Sequence, residues 1–160
     1  MYQDLNKPAE LNIAGLCQFW FIPESWLSIF SIKFLTKLEV KYWELMPDRN
    51  WLKGYHNNEV TEIETAAKPT EAGITYESQV NLFIPTDNED LRYNLSRLEQ
   101  ERLIVMIKET SGTVKIMGDK NSACRLQFKF INRATKKGYE IVFSCENNNP
   151  PYIYKGLLPA

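Results

Sequence analysis

The chain has 160 residues, of which 44% are hydrophobic and 24% charged, with 19 Lys and Arg against 20 Asp and Glu and a net charge of −1. That length carries one ordinary core, which buries about 70% of the surface exposed when unfolded, so a single domain over residues 1–160 is expected. The near-neutral balance gives no general attraction to phosphate backbones or anionic lipid, and neither nucleic-acid binding nor a membrane role is expected.

In chain order, LNIAGLCQFWFI places Leu11 and Ile13, then Cys17, Phe19 and Phe21, at every second position. This predicts a strand with an irregularity near Gly15, ended by Pro23. Trp20 is out of phase with its phenylalanine neighbours and is expected to face the other way. ESWLSIFSIKFLTKLEVKYWEL fits both a strand alternation and a helical stripe; its β-branched and aromatic content favours strands. Residues 46–73 are rich in turn formers, with PDRN, HNNE and KPTEAG as turns and EVTEIET as a short strand. ITYESQVNLFIP then alternates cleanly, with Ile74, Tyr76, Val80, Leu82 and Ile84 on one face and Pro85 as its stop.

The period changes after Pro85. TDNEDLRYNLSRLEQE spaces Leu91, Leu95 and Leu98 for a helix around residues 88–100, with Asp87 or Asn88 as N-cap and acidic residues in the first turn. From Arg102 a meander is predicted: RLIVMIKE, a TSGT turn, VKIMG, a DKNSA turn, then CRLQFKFI with Cys124, Leu126, Phe128 and Phe130 inward and Arg125, Gln127 and Lys129 outward. After the basic loop NRATKKG, YEIVFSC returns with Tyr139, Ile141, Phe143 and Cys145 on one face. Pro150 and Pro151 cannot donate to a ladder, so YIY is expected to be a short edge strand. The predicted class is mainly β (α+β), an antiparallel β-sandwich or barrel with one flanking helix.

No catalytic constellation stands out. Gly118 to Lys120 lacks the further glycines and the following helix of a phosphate loop and reads as a hairpin turn. Asp87, Glu89 and Asp90 lack calcium-loop spacing and read as helix-capping groups. His56 is expected to be solvated in a loop, and no G-x-S-x-G elbow is present. Cys17, Cys124 and Cys145 form no C-x-x-C pair, which argues against zinc; Cys124 and Cys145 are in phase with apolar faces and are expected to be buried thiols. Neither a cofactor nor a metal site is predicted. No secretory signal or stretch of twenty apolar residues is evident, so a reducing cytoplasm is expected. Trp20, Trp26, Trp43 and Trp51, with Tyr42, Tyr55, Tyr152 and Tyr154, read either as a second core layer or as an exposed surface for a subunit contact or for a glycan or peptide.

Taken in order, AGLCQFWFIP, YESQVNLFIP, the helix EDLRYNLSRLEQ, KIMGDK, TKKGYEIVF and the Pro-aromatic tail resemble small structural proteins of Bacteroidetes-type prophages and, through them, the phage tail tube family. The resemblance covers the second half of the chain and, more loosely, its first strand. It implies a non-enzymatic subunit that self-associates into rings and stacked tubes with other tail proteins, cytoplasmic until assembled. The long hairpin expected to close neighbouring subunits is not marked; KETSGTVKIMGDK and residues 47–73 are the candidates. A free strand edge pairs with a neighbour unless blunted, so Tyr152, Ile153 and Tyr154, with Arg133, Lys136 and Lys137 in the basic loop, are the candidate subunit contacts.

Overall fold

The computed structural model describes residues 18–33, 39–56, 62–109 and 112–159. Its strands are β1 (Gln18–Pro23), β2 (Leu27–Lys33), β3 (Glu39–Leu45), β4 (Leu52–Gly54), β5 (Glu62–Thr70), β6 (Gly73–Ile84), β7 (Leu103–Lys108), β8 (Val114–Met117), β9 (Arg125–Arg133), β10 (Lys136–Asn147) and β11 (Tyr152–Tyr154), with α1 (Glu89–Leu98) between β6 and β7. Two sheets result: a seven-stranded one ordered β2-β3-β11-β8-β7-β1-β4, and a four-stranded one ordered β5-β6-β10-β9. The expected bulge near Gly15, Cys17 and the turn over residues 57–59 lie outside the described residues.

The sheets face each other across one core, in the sandwich arrangement expected of a mainly β α+β chain. Phe19 and Phe21 from β1, Leu103, Val105 and Ile107 from β7, Val80, Leu82 and Ile84 from β6, and Ile141 and Phe143 from β10 meet there. Leu91, Leu95 and Leu98 of α1 enter the same core, one helical stripe closing the space between the layers. Asn88 caps the helix, its side chain accepting from the Leu91 N–H at 2.7 Å.

The runs FWFI and LIVMI are apolar at every position because their strands are buried on both faces. Trp20, Ile22, Ile104 and Met106 point away from the sandwich into a second cluster with Leu27, Trp51, Val114, Ile116, Tyr152 and Tyr154. Curling of the large sheet creates this second core. A single 3-10 turn, Glu24–Trp26, joins β1 to β2, although these strands are five places apart in the sheet. Five flat intervals would need about 24 Å, whereas the link from Pro23 to Leu27 reaches at most about 14 Å. The sheet therefore rolls its margins together: the Trp43 ring of β3 and the Trp51 ring beside β4 meet edge-on at 5.5 Å. Among the described residues no ladder joins β2 to β4, so the sheet is curled and open, not a closed barrel.

Several sequence expectations are corrected. KPTEAG holds its expected turn only at Glu71–Ala72: Lys68, Pro69 and Thr70 continue β5, with Thr70 opposite Gly73. Pro69 is tolerated because β5 is a sheet margin, where one side of the backbone makes no ladder bonds. The β5–β6 hairpin matches β9–β10 in length but outruns its neighbour: the β6–β10 ladder ends at Tyr76 and Asn147. Ile74, expected inside, is consequently 56% exposed. NRATKKG is the expected hairpin tip but a tighter one, since Lys136 pairs with Arg133 across the two-residue turn Ala134–Thr135. Phe130 leans on Tyr139 at 5.3 Å between centroids but remains exposed, because β9 is the other margin of the small sheet. His56 is buried, its ring 5.6 Å from that of Phe19, and is not a solvated loop residue.

Candidate functional site

The predicted contact residues do not converge on one surface. β11 is not an edge strand: it lies inside the large sheet, antiparallel to β8 through Tyr152 and Ile116 and parallel to β3 through Tyr154 and Val40. Tyr152 and Tyr154 are buried, and only Ile153 is half-exposed. Their hydroxyls are engaged within the chain. Tyr152 donates to Asp119 Oδ2 at 2.9 Å, and Tyr154 accepts from Trp43 Nε1 at 2.9 Å while donating to Leu157 O at 2.6 Å. Burial, with Asp119 beside it, pushes the Tyr152 phenol up to about 12. Asp119 also accepts from Asn147 at 3.1 Å and, through Oδ1, from the Asn121 and Ser122 N–H groups at 2.8 Å. The turn after Gly118 is thus a structural clasp on β11.

The tryptophans are also mainly interior. Trp20 and Trp51 are buried, with indole N–H groups that meet no acceptor among the described residues, and Trp26 and Trp43 pack against the same cluster. A sugar platform built on Trp20 or Trp51 has no exposed ring face to offer. Asp87 is not the N-cap. It accepts from Tyr139 Oη at 2.8 Å and lies 3.3 Å from Arg92, and these two partners hold its carboxyl below the ordinary carboxylate value. Together the three side chains tie α1 to β10.

What remains as an interaction surface is the four-stranded sheet and its two margins. Among the described residues β5 pairs only with β6, and β9 only with β10. Each margin strand has nine residues, and β9 runs without a register shift or a proline. Such an edge presents a row of backbone donors and acceptors to solvent. The margins differ in charge. On the face turned away from the sandwich, β9 carries Arg125, Lys129 and Arg133, all exposed. On the same face β5 carries exposed Glu64, while Lys68 is held by Glu77 at 2.7 Å.

Register links the margins. Glu64 stands opposite Gln79, Gln79 opposite Ser144, and Ser144 opposite Arg125, one row across the whole sheet. The next row is Ala66, Glu77 and Glu146. Both rows line an open trough of ≈ 480 Å³. Of the predicted basic residues, Arg133 ends β9 and Lys137 is exposed on β10, while Lys136 is partly committed, its Nζ 4.3 Å above the Phe83 ring and 3.6 Å from Glu140. Arg125, Lys129 and Glu64 form the better-placed charge pattern. The alternation in CRLQFKFI marks Arg125 and Lys129 as outward, but no sequence signal says that β9 and β5 bound one sheet.

Among the described residues no group of three or more His, Cys, Asp and Glu side chains is placed to hold a metal ion, and no helix is long and apolar enough to cross a membrane. No family model, curated protein or solved structure matches the chain.

Proposed function

We propose that the protein is a non-enzymatic structural subunit that acts by self-association, in the manner of a tail tube or related tail-assembly protein of a phage or prophage. The observation that supports this most is the pair of complementary margins on the four-stranded sheet. All three ladders in that sheet are antiparallel, so β5 and β9 run in opposite directions. A copy added edge-on in the same orientation sets its β5 antiparallel to the first copy's β9, with the outward faces continuous. Glu64 of one subunit then approaches the basic row of the next. The same basic row opposes a symmetric β9-to-β9 dimer, because like charges would face one another.

Such an interface is heterologous. Repeated, it produces a ring if the rotation closes and a helical filament if it does not. The tail assignment itself rests on the sequence resemblance, to which the sandwich with its flanking helix and the β5–β6 hairpin that outruns the β6–β10 ladder are congenial. The test is molar mass by light scattering over a range of protein and salt concentrations, with electron microscopy of the same samples. Rings, tubes or filaments that dissociate as salt rises are expected; a monomer under every condition would overturn the reading.

A further inference from the structure

Cys124 and Cys145 play no part in the association surface, yet they are placed against one another. The β9–β10 ladder ends with Ser144 opposite Arg125, so the next position, on the face turned into the sandwich, sets Cys145 across from Cys124. Directly opposed residues of an antiparallel pair have Cα atoms about 4.5 or 5.5 Å apart. Both separations fall in the range a disulfide spans, about 4.4–6.8 Å. Each thiol bears on the other's titration, and the Cys145 S–H donates to Ser122 O at 3.3 Å.

Their backbones have little room to drift apart. Cys124 exchanges two hydrogen bonds with Leu103 of the facing sheet, at 2.7 and 2.9 Å. Gly118, at φ +90, packs beneath it so closely that a Cβ would lie 3.3 Å from both the Cys124 N and Sγ. The two sulfurs nevertheless have unequal surroundings. Cys124 is fully enclosed, and burial pushes its thiol well up. Cys145 keeps 7% of its surface exposed and borders the open trough, and the hydrogen bond from Cys124 brings its thiol down. Burial as two small hydrophobes would require neither the direct opposition nor this inequality.

We propose that Cys145 and Cys124 form a redox-active dithiol that closes to an intrachain disulfide when the protein meets a peroxide. The Cys145 thiolate attacks one peroxide oxygen, the O–O bond breaks, hydroxide leaves, and the sulfur is oxidised to a sulfenic acid. The Cys124 sulfur then attacks that sulfur, the S–O bond breaks, and the hydroxyl leaves as water with the Cys124 proton. Overall, two thiols and one hydrogen peroxide give one disulfide and two waters. Cys145 is the attacking residue and Cys124 the resolving one.

The test is treatment of the full chain with hydrogen peroxide, followed by thiol counting and a non-reducing peptide map. The count of free thiols should fall from three to one per chain, with the Cys124 and Cys145 peptides joined and separated again by a thiol reductant. In Cys124→Ser, Cys145 should accumulate as a sulfenic acid trapped by dimedone; in Cys145→Ser, Cys124 should stay unmodified. The wild-type map decides even if either variant folds poorly. A link through Cys17, a link between chains, or Cys145 unchanged under excess peroxide would overturn the proposal.

Discussion

Glu64 and Arg125 occupy the two ends of a single cross-strand row, a carboxylate and a guanidinium separated by the full width of the four-stranded sheet. Within one chain they cannot meet; between chains added edge-on they are neighbours. Arg125→Glu should therefore weaken association and Glu64→Arg should do the same, while the double exchange restores it. An exposed pair contributes about 0.2–1 kcal/mol, and reversal turns attraction into repulsion, so each single change should raise the apparent dissociation constant roughly 2- to 30-fold. Sedimentation velocity at low salt reads this directly, and added salt should shrink the difference. Equal association by all four proteins would exclude this edge pairing.

Tyr154→Asp should unfold the protein and not merely disperse an assembly. It buries a carboxylate among Trp20, Trp51 and Ile116 and removes the hydroxyl that serves Trp43 and Leu157. A loss of at least about 3 kcal/mol is expected, visible as a lower midpoint in urea by circular dichroism. A folded variant of unchanged stability that failed to associate would return β11 to the interface.

Gly138→Ala tests the small sheet. Gly138 has φ +154, and a Cβ there would stand 2.2 Å from Ile84 O and 2.8 Å from the Phe83 ring. Backbone movement on β6 or β10 has to relieve the overlap, at a cost of about 2 kcal/mol or more. Thermal denaturation should register the drop, whereas Gly112→Ala, with φ +91 but nothing among the described residues within 4 Å, should be milder.

The pH dependence should differ at the two extremes. Asp87 has a folded pKa below its ordinary value of 3.8, so its contribution is complete above that value and is lost as acid is added below it. Asp87→Asn should flatten the acid limb of stability against pH. Tyr152 is the opposite case: its contribution is complete below its ordinary value of 10 and is lost as pH rises towards about 12. Burial also raises the Tyr139 and Tyr154 phenols, so ultraviolet titration should show several late tyrosinates, of which the one near 12 is lost in Tyr152→Phe.

Local pattern carried much of this fold, and neighbour relations carried the rest. Leu91, Leu95 and Leu98 announce α1, and the opposed phases of Trp20 and its flanking phenylalanines announce a strand with two buried faces. Tyr152 and Tyr154 show where the pattern misleads. Their alternation and the preceding prolines signal a strand truthfully, but they say nothing of β3, whose Trp43 is 111 residues from Tyr154 along the chain. Composition misleads at Gly138 as well. That glycine makes room for Ile84 O and Phe83 within a strand and is not a turn signal, which is why the basic segment looked like a longer loop. The association surface was half legible: outward-facing Arg125 and Lys129 follow from period two, whereas their relation to Glu64 exists only after three ladders have been assembled.

The position of β11 has a consequence for the order of events in folding. Among the described residues the β2–β3 hairpin is ladder-paired to the rest of its sheet only through this three-residue strand, so the hairpin can form by itself but joins the sheet's ladders once Tyr152–Tyr154 has slotted between β3 and β8. Closing so long a stretch of chain is entropically unfavourable and comes late compared with local hairpins. Trp43, hydrogen-bonded to Tyr154, is a natural reporter: its fluorescence should settle in the slowest refolding phase, after the β5–β6 and β9–β10 hairpins have acquired their amide protection.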